Sequence, residues 1–253
     1  MKLTLMVLVF CILCGCGSRD LPVEVTQTLP RMVWAQESLY VDTGRVSENV
    51  PRCGVMDGEI TAQVDTIPTE EGTSNFGVDY GYQIGCEEDT IEVNIDGEWR
   101  IFRDTKHPPE MSVHHGGESF PSMRGGFSWT SFAKNGKSQT LIADALHPLE
   151  CKELVPILTL RPSVYSSLDP NLARLEFDVL PARITARCWS ASAWDKPDTE
   201  AEDVEVADSC LSLKENCIYE ITAEWDVQNG FGGEVHYVFC AMAPKLCGYP
   251  TKE

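Results

Sequence analysis

From Leu172 onward the chain alternates apolar and polar residues with a period of two. Leu175, Phe177 and Val179 fall on one side of an extended chain, with Arg174, Glu176 and Asp178 on the other. Ile184, Ala186 and Cys188 alternate with Arg183, Thr185 and Arg187. Cys217, Tyr219, Ile221, Ala223 and Trp225 alternate with Ile218, Glu220, Thr222 and Glu224. Val235, Tyr237, Phe239 and Ala241 alternate with Glu234, His236 and Val238. Such a pattern predicts strands with one face on a core and one in water. Asn229-Gly230 and Gly232-Gly233 mark the connection between the last two strands.

Two more hairpins are predicted upstream. In residues 90–102, Ile91, Val93 and Ile95 alternate, Asp96-Gly97 supplies a primed turn, and Trp99, Ile101 and Phe102 return. Residues 126–142 read the same way, with Asn135-Gly136 at the tip. Residues 103–125, rich in Pro and Gly, read as a linker. Short strands, frequent turn signals and no long helical period predict a mainly β protein. The expected architecture is an immunoglobulin-like β-sandwich over residues 111–247, preceded by a smaller β-rich domain over 31–110. No internal repeat is evident.

The N-terminus changes the picture. Lys2 precedes an eleven-residue stretch, Leu3 to Leu13, that is apolar except for Thr4. Its length suits a signal-peptide core and is about half of what crosses a bilayer. It ends in Leu13-Cys14-Gly15-Cys16, which resembles the bacterial lipobox. The resemblance implies a signal peptide at 1–15, lipid attachment to the Cys16 sulfur, cleavage before it, and a tether over 16–30. The alternatives are a cleaved, lipid-free signal and an uncleaved helix. An A-x-A-like cleavage site is missing, and the apolar run is short.

Charge narrows the function classes. The 253-residue chain carries a formal charge of −19, and Lys2 is the only charge before Cys16. So acidic a surface is repelled by phosphate backbones, which argues against a nucleic-acid partner. It is also repelled by anionic lipid, so membrane residence requires the anchor.

Of eleven cysteines, Cys11, Cys14 and Cys16 belong to the export segment. The other eight are Cys53, Cys86, Cys151, Cys188, Cys210, Cys217, Cys240 and Cys247. An even number in an exported domain suggests disulfides, with buried free thiols as the alternative. No C-x-x-C spacing is present, which removes the main support for zinc-ribbon and thioredoxin-like readings. Strand parity disfavours Cys217 with Cys240. It makes Cys188 and Cys217, both facing inward, candidates for an inter-sheet bridge. Cys240 with Cys247 is a candidate for closing the bend around Pro244.

Catalytic patterns are weak. Asp42-Thr43-Gly44 has the triplet of aspartic proteases, but Arg45 follows and no second triplet supplies the partner carboxylate. Ser131-Phe132-Ala133-Lys134 has S-x-x-K spacing, yet it lies on a predicted hairpin without the supporting Ser-Asp-Asn and Lys-Thr-Gly elements. His114 and His115 point oppositely on an extended chain and chelate poorly. His107 and His147 precede prolines, His236 falls on the wet face of a strand, and no H-E-x-x-H exists. No catalytic or metal-ligating residue is assigned. Asp195, Asp198, Glu200, Glu202, Asp203, Glu205 and Asp208 form an acidic loop, solvated by default, with calcium as the one cofactor to test. Six tryptophans could stack on sugars or pack a core, and packing is the more frequent use.

Two stretches resemble modules of exported lipoproteins from gut-dwelling anaerobic bacteria. The first runs from Leu39-Tyr-Val-Asp-Thr-Gly through Arg52-Cys-Gly-Val-Met-Asp-Gly-Glu-Ile60, with Pro68-Thr-Glu, Ser74-Asn-Phe-Gly77 and Tyr80-Gly-Tyr82. The second comprises Ser128-Trp-Thr, Ala143-Asp-Ala-Leu-His-Pro-Leu149, Ile184 to Trp189 and Ile218-Tyr-Glu-Ile-Thr-Ala-Glu-Trp225, followed by Gly232-Gly233. The second resembles a module that also occurs beside membrane-bound sensor peptidases. The resemblance spans most of residues 34–243 and implies no catalytic residues. The expectation is therefore a lipid-anchored protein on the outer side of a cell membrane, not an enzyme, that binds an unknown protein, glycan or envelope component. The alternative is a sensing or inhibitory accessory to a membrane peptidase or cell-wall enzyme.

Overall fold

A computed structural model describes residues 29–48, 54–133, 137–160 and 171–243. The expected signal peptide, Cys16, most of the expected tether, Cys53, Lys134, the Asn135-Gly136 tip and Cys247 lie outside the described residues. The protein is mainly β, and three sheets contain all its named strands. Among the described residues no helix is long and apolar enough to cross a membrane.

The first sheet is built from β1 (Met32–Ala35), β2 (Ser38–Val46), β3 (Gly58–Ile60), β4 (Ala62–Gln63), β5 (Thr73–Ser74), β6 (Tyr80–Ile84), β7 (Thr90–Ile95) and β8 (Glu98–Asp104). Its order is β3-β6-β7-β8-β2-β1-β5-β4. The β7–β8 hairpin closes as its sequence predicts. Ile95 pairs with Glu98, and Asp96 and Gly97 both hold positive φ, as a primed turn demands. Strand β1 is buried at all four positions, so it is apolar throughout rather than alternating.

The second sheet has the order β10-β9-β14-β17, with β9 (Met111–His115), β10 (Glu118–Pro121), β14 (Leu172–Phe177) and β17 (Cys210–Ser212). The linker expected over 103–125 is corrected by β9 and β10. Gly116-Gly117 is the turn of a hairpin, both residues at positive φ. Met111, Val113 and His115 alternate inward, a pattern too short to stand out among prolines and glycines.

The third sheet has the order β12-β11-β19-β18-β15-β16. It comprises β11 (Met123–Ala133), β12 (Lys137–Ala143), β15 (Arg183–Ser190), β16 (Glu202–Val204), β18 (Cys217–Trp225) and β19 (Phe231–Met242). β13 (Ile157–Thr159) pairs in parallel with the end of β19. Gly233 is required where β19 crosses β11. A Cβ there would collide with the Ser128 carbonyl oxygen, and its φ is 142°.

The main core draws on all three sheets. Met32, Trp34, Leu39 and Val41 of the first share it with Val113, Leu175 and Leu211 of the second and Tyr219, Ile221, Val235 and Tyr237 of the third. Trp129 lies at its centre, edge-on to Trp225 with ring centroids 5.4 Å apart, and its Nε1 donates to the Thr105 carbonyl at 2.9 Å. Tyr237 Oη donates to the Pro109 carbonyl at 2.6 Å.

Candidate functional site

The inward faces of β15, β18 and β19 follow the sequence pattern. Their outer face does not simply meet water. Over one half of it, Leu149, Cys151, Val155 and Ala193 pack on Trp189, Ile218, Val238 and Cys240 in a separate buried cluster. His147 starts this cover. Its Nδ1 accepts from Leu149 N at 3.2 Å, capping the 3-10 turn Pro148–Glu150, the turn role its place before proline suggested. Cys240 is therefore buried rather than wet.

The uncovered half forms an open cleft of about 390 Å³. Its floor is charged. Arg187 on β15, Glu220 on β18, and Glu234 and His236 on β19 project from three adjacent strands onto one face. One wall is Phe127 and Ser128 of β11, the other the segment 142–148 leaving β12. A β-bulge between Arg124 and Phe127 bends β11 here. It contains Gly125 and Gly126, and a Cβ on Gly125 would already touch the His236 Cβ at 3.4 Å.

The floor is a continuous polar chain. Arg187 Nε donates to Glu220 Oε2. Glu220 Oε1 lies 3.4 Å from His236 Nδ1, which is also 3.2 Å from Thr222 Oγ1. His236 Nε2 meets Glu234 Oε1 at 3.1 Å. The Arg187 guanidinium also stacks over the Trp189 ring at 5.0 Å. Glu220 is only 6% exposed. Burial pushes its carboxyl up, but hydrogen bonds from His236 and Arg187 outweigh that and hold it below the ordinary range. The hydrogen bond to Glu220 raises His236 above its ordinary value, burial opposes this, and Glu234 adds to the rise. Both His236 nitrogens face carboxylates, and the pull toward the protonated form comes mainly from Glu220. The arrangement presents paired donors and acceptors to a polar ligand.

Residues singled out in the sequence fall elsewhere. Asp42 binds Arg100 Nε at 2.9 Å and accepts from Gly44 N at 2.8 Å, so its carboxylate serves the bulged strand β2. Ser131 to Ala133 lie in β11, not at a helix start. His114 pairs with Glu176 while His115 is buried, on opposite faces as expected. Part of the acidic stretch 195–208 is strand β16, and Glu202 pairs with Lys214. Among the described residues, no three His, Cys, Asp or Glu side chains converge as a metal site. Trp34, Trp129, Trp189 and Trp225 are buried, so they pack rather than stack on a ligand.

The cysteine geometry also differs. Cys188 and Cys217 both face the main core, as parity implied. They are not on opposing sheets, however, because β15 and β18 are hydrogen-bonded neighbours. Cys86, Cys151, Cys188, Cys210, Cys217 and Cys240 carry free thiols in this structure. The pairing of Cys240 with Cys247 lies outside the described residues.

Alternation puts Arg187, Glu220, Glu234 and His236 on the polar faces of their strands, but no spacing in the sequence links them to one another. The one available signal was a charged residue on the outer face of each of three consecutive strands. No protein-family model, curated protein or solved structure matches the chain.

Proposed function

We propose that the chain is a non-enzymatic binding protein, held by a lipid on Cys16 to the outer side of a bacterial membrane. In this reading its C-terminal part is an immunoglobulin-like sandwich that presents the cleft to the cell exterior. The observation that carries the binding role is the Arg187–Glu220–His236–Glu234 chain on the floor of an open cleft. Its charges are paired with one another, so it offers no net field to an ion. Its hydrogen-bonding groups remain at the surface of the floor, where a ligand rich in hydroxyls can exchange with water. With −19 on the whole chain, an anionic ligand is disfavoured at long range. An uncharged glycan fits best.

The test is binding of a neutral glycan library to the full chain extracted in detergent, with Arg187→Ala in parallel. Retention by the parent and at least tenfold weaker retention by the variant supports the proposal. No retained glycan, or equal retention by both, overturns it.

A further inference from the structure

β12 (Lys137–Ala143) ends the third sheet, with β11 its one strand neighbour among the described residues. Six of its seven residues are exposed. An edge of this kind presents a row of free N–H and C=O groups to another strand. Folded proteins blunt such edges, and the other strands that end a sheet here are blunted. β3, β4, β16 and β17 have two or three residues each, β16 carries Glu202 and Asp203, and β10 ends in Pro121. β12 has neither a proline nor a bulge, and its Leu141 and Ile142 are exposed. We propose that β12 is the seam along which two copies of this chain pair, antiparallel about a two-fold axis at Leu141, so that their third sheets become one.

Charge and symmetry select a second copy as the occupant. The chain carries −19, so two copies repel over most of their surface. Residues 119–143 hold no Asp or Glu, the longest such run in the chain, and include Arg124, Lys134 and Lys137. β11 and β12 make up most of that run, so copies approach here with the least repulsion. Antiparallel pairing also sets the Lys137 end of each strand beside the Asp144 end of the other. The two-fold axis stands perpendicular to the sheet. Equivalent residues therefore keep to one side, and only residues of equal parity can face each other. Leu141 lies opposite Trp129, toward the main core, and Ile142 opposite Ser128, toward the cleft. An axis at Leu141 sets Leu141 against Leu141 of the second copy, and Thr140 against Ile142 on either side of it. An axis at Thr140 would instead set Leu141 against Gln139 and Ile142 against Ser138. The first register covers apolar side chains with apolar or β-branched ones.

Pairing has a consequence for the cleft. The segment 142–148 that leaves β12 is one of its walls, so each cleft borders the seam. The perpendicular axis turns both clefts to the same side of the joined sheet. A ligand of repeating units would then engage two clefts at once and be held more tightly than by one. This consequence rests on the reading of the cleft as a ligand site; the pairing itself does not.

The experiment is sedimentation of the full chain in detergent, with micelles in excess, over a roughly hundredfold range of protein concentration. The parent's mass should rise from one chain to two. Leu141→Glu and Leu141→Lys each place like charges across the axis and should weaken pairing by about tenfold or more. Mixed in equal amounts the two variants should pair again, Glu against Lys, which misfolded chains would not do. Amides of β12 in the parent should gain hydrogen-exchange protection as concentration rises. A parent that stays a single chain throughout overturns the proposal, as does pairing that both variants retain. Protection of β12 that is independent of concentration overturns it too, because another segment of the same chain would then occupy the edge. Loss of glycan binding alone moves none of these readouts.

Discussion

Glu220 Oε1 lies 3.4 Å from His236 Nδ1, diagonally across the β18–β19 ladder, with Arg187 on the far side of the same carboxylate. Each ionic state supports the other, and this makes the stability of the cleft depend on pH.

His236 titrates above its ordinary 6.5 in the folded protein, mainly through its hydrogen bond to Glu220. Its contribution is fully present below about pH 6.5 and is lost as pH rises through the raised folded value. Glu220 titrates below its ordinary 4.5, because hydrogen bonds from His236 and Arg187 outweigh its burial. Its contribution is present above about pH 4.5 and is lost as pH falls through the lowered folded value. Urea melts of the parent and His236→Gln should therefore differ most between about pH 4.5 and 6.5, and converge at higher pH. A gap that does not change with pH would refute the assignment.

Glu220→Gln keeps the shape of the side chain and removes its charge. The His236 titration midpoint, followed by NMR of the imidazole, should move down toward its ordinary value. An unmoved midpoint would mean that Glu234 alone sets it.

Trp129 and Tyr237 tie the first sheet's trailing segment to the third sheet through Thr105 and Pro109. Trp129→Ala should cost about 3–5 kcal/mol, since it empties the centre of the shared core. Tyr237→Phe removes one buried hydrogen bond and should cost about 1–2 kcal/mol. Chemical denaturation measures both. A Trp129→Ala loss below that of Tyr237→Phe would contradict the placement of the core.

Gly233→Ala should be severe for so small a change. The added methyl meets the Ser128 carbonyl at a backbone angle that L-residues rarely adopt. We expect a loss of at least about 2 kcal/mol from overpacking and backbone strain. Thermal melting near that of the parent would show that β11 and β19 are not so closely paired.

Cys16→Ser removes the one proposed attachment point. Fractionation of cells carrying the variant should find the protein released or mislocalised, because so acidic a chain is repelled by anionic lipid. A variant that stays wholly in the membrane fraction would end the anchor proposal.

The sequence by itself determined which residues face the main core on β14, β15, β18 and β19, and where the β7–β8 turn falls. Side-chain direction alternates along any extended chain, and a primed turn needs only two residues, so both are local properties. It also carries the lipobox-like Leu13-Cys14-Gly15-Cys16 on which the proposed export and anchoring rest, a linear pattern legible without a fold. Tertiary structure decided the rest. Alternation says which face a residue takes but not which strand lies beside it, so Cys188 and Cys217 could be read as facing sheets when they are neighbours in one. Only the packing of residues 148–156 and 189–194 shows that half of the outer face is buried, turning Cys240 from wet to dry. The same packing leaves the other half open, where pairing at long sequence separation brings Arg187, Glu220, Glu234 and His236 together.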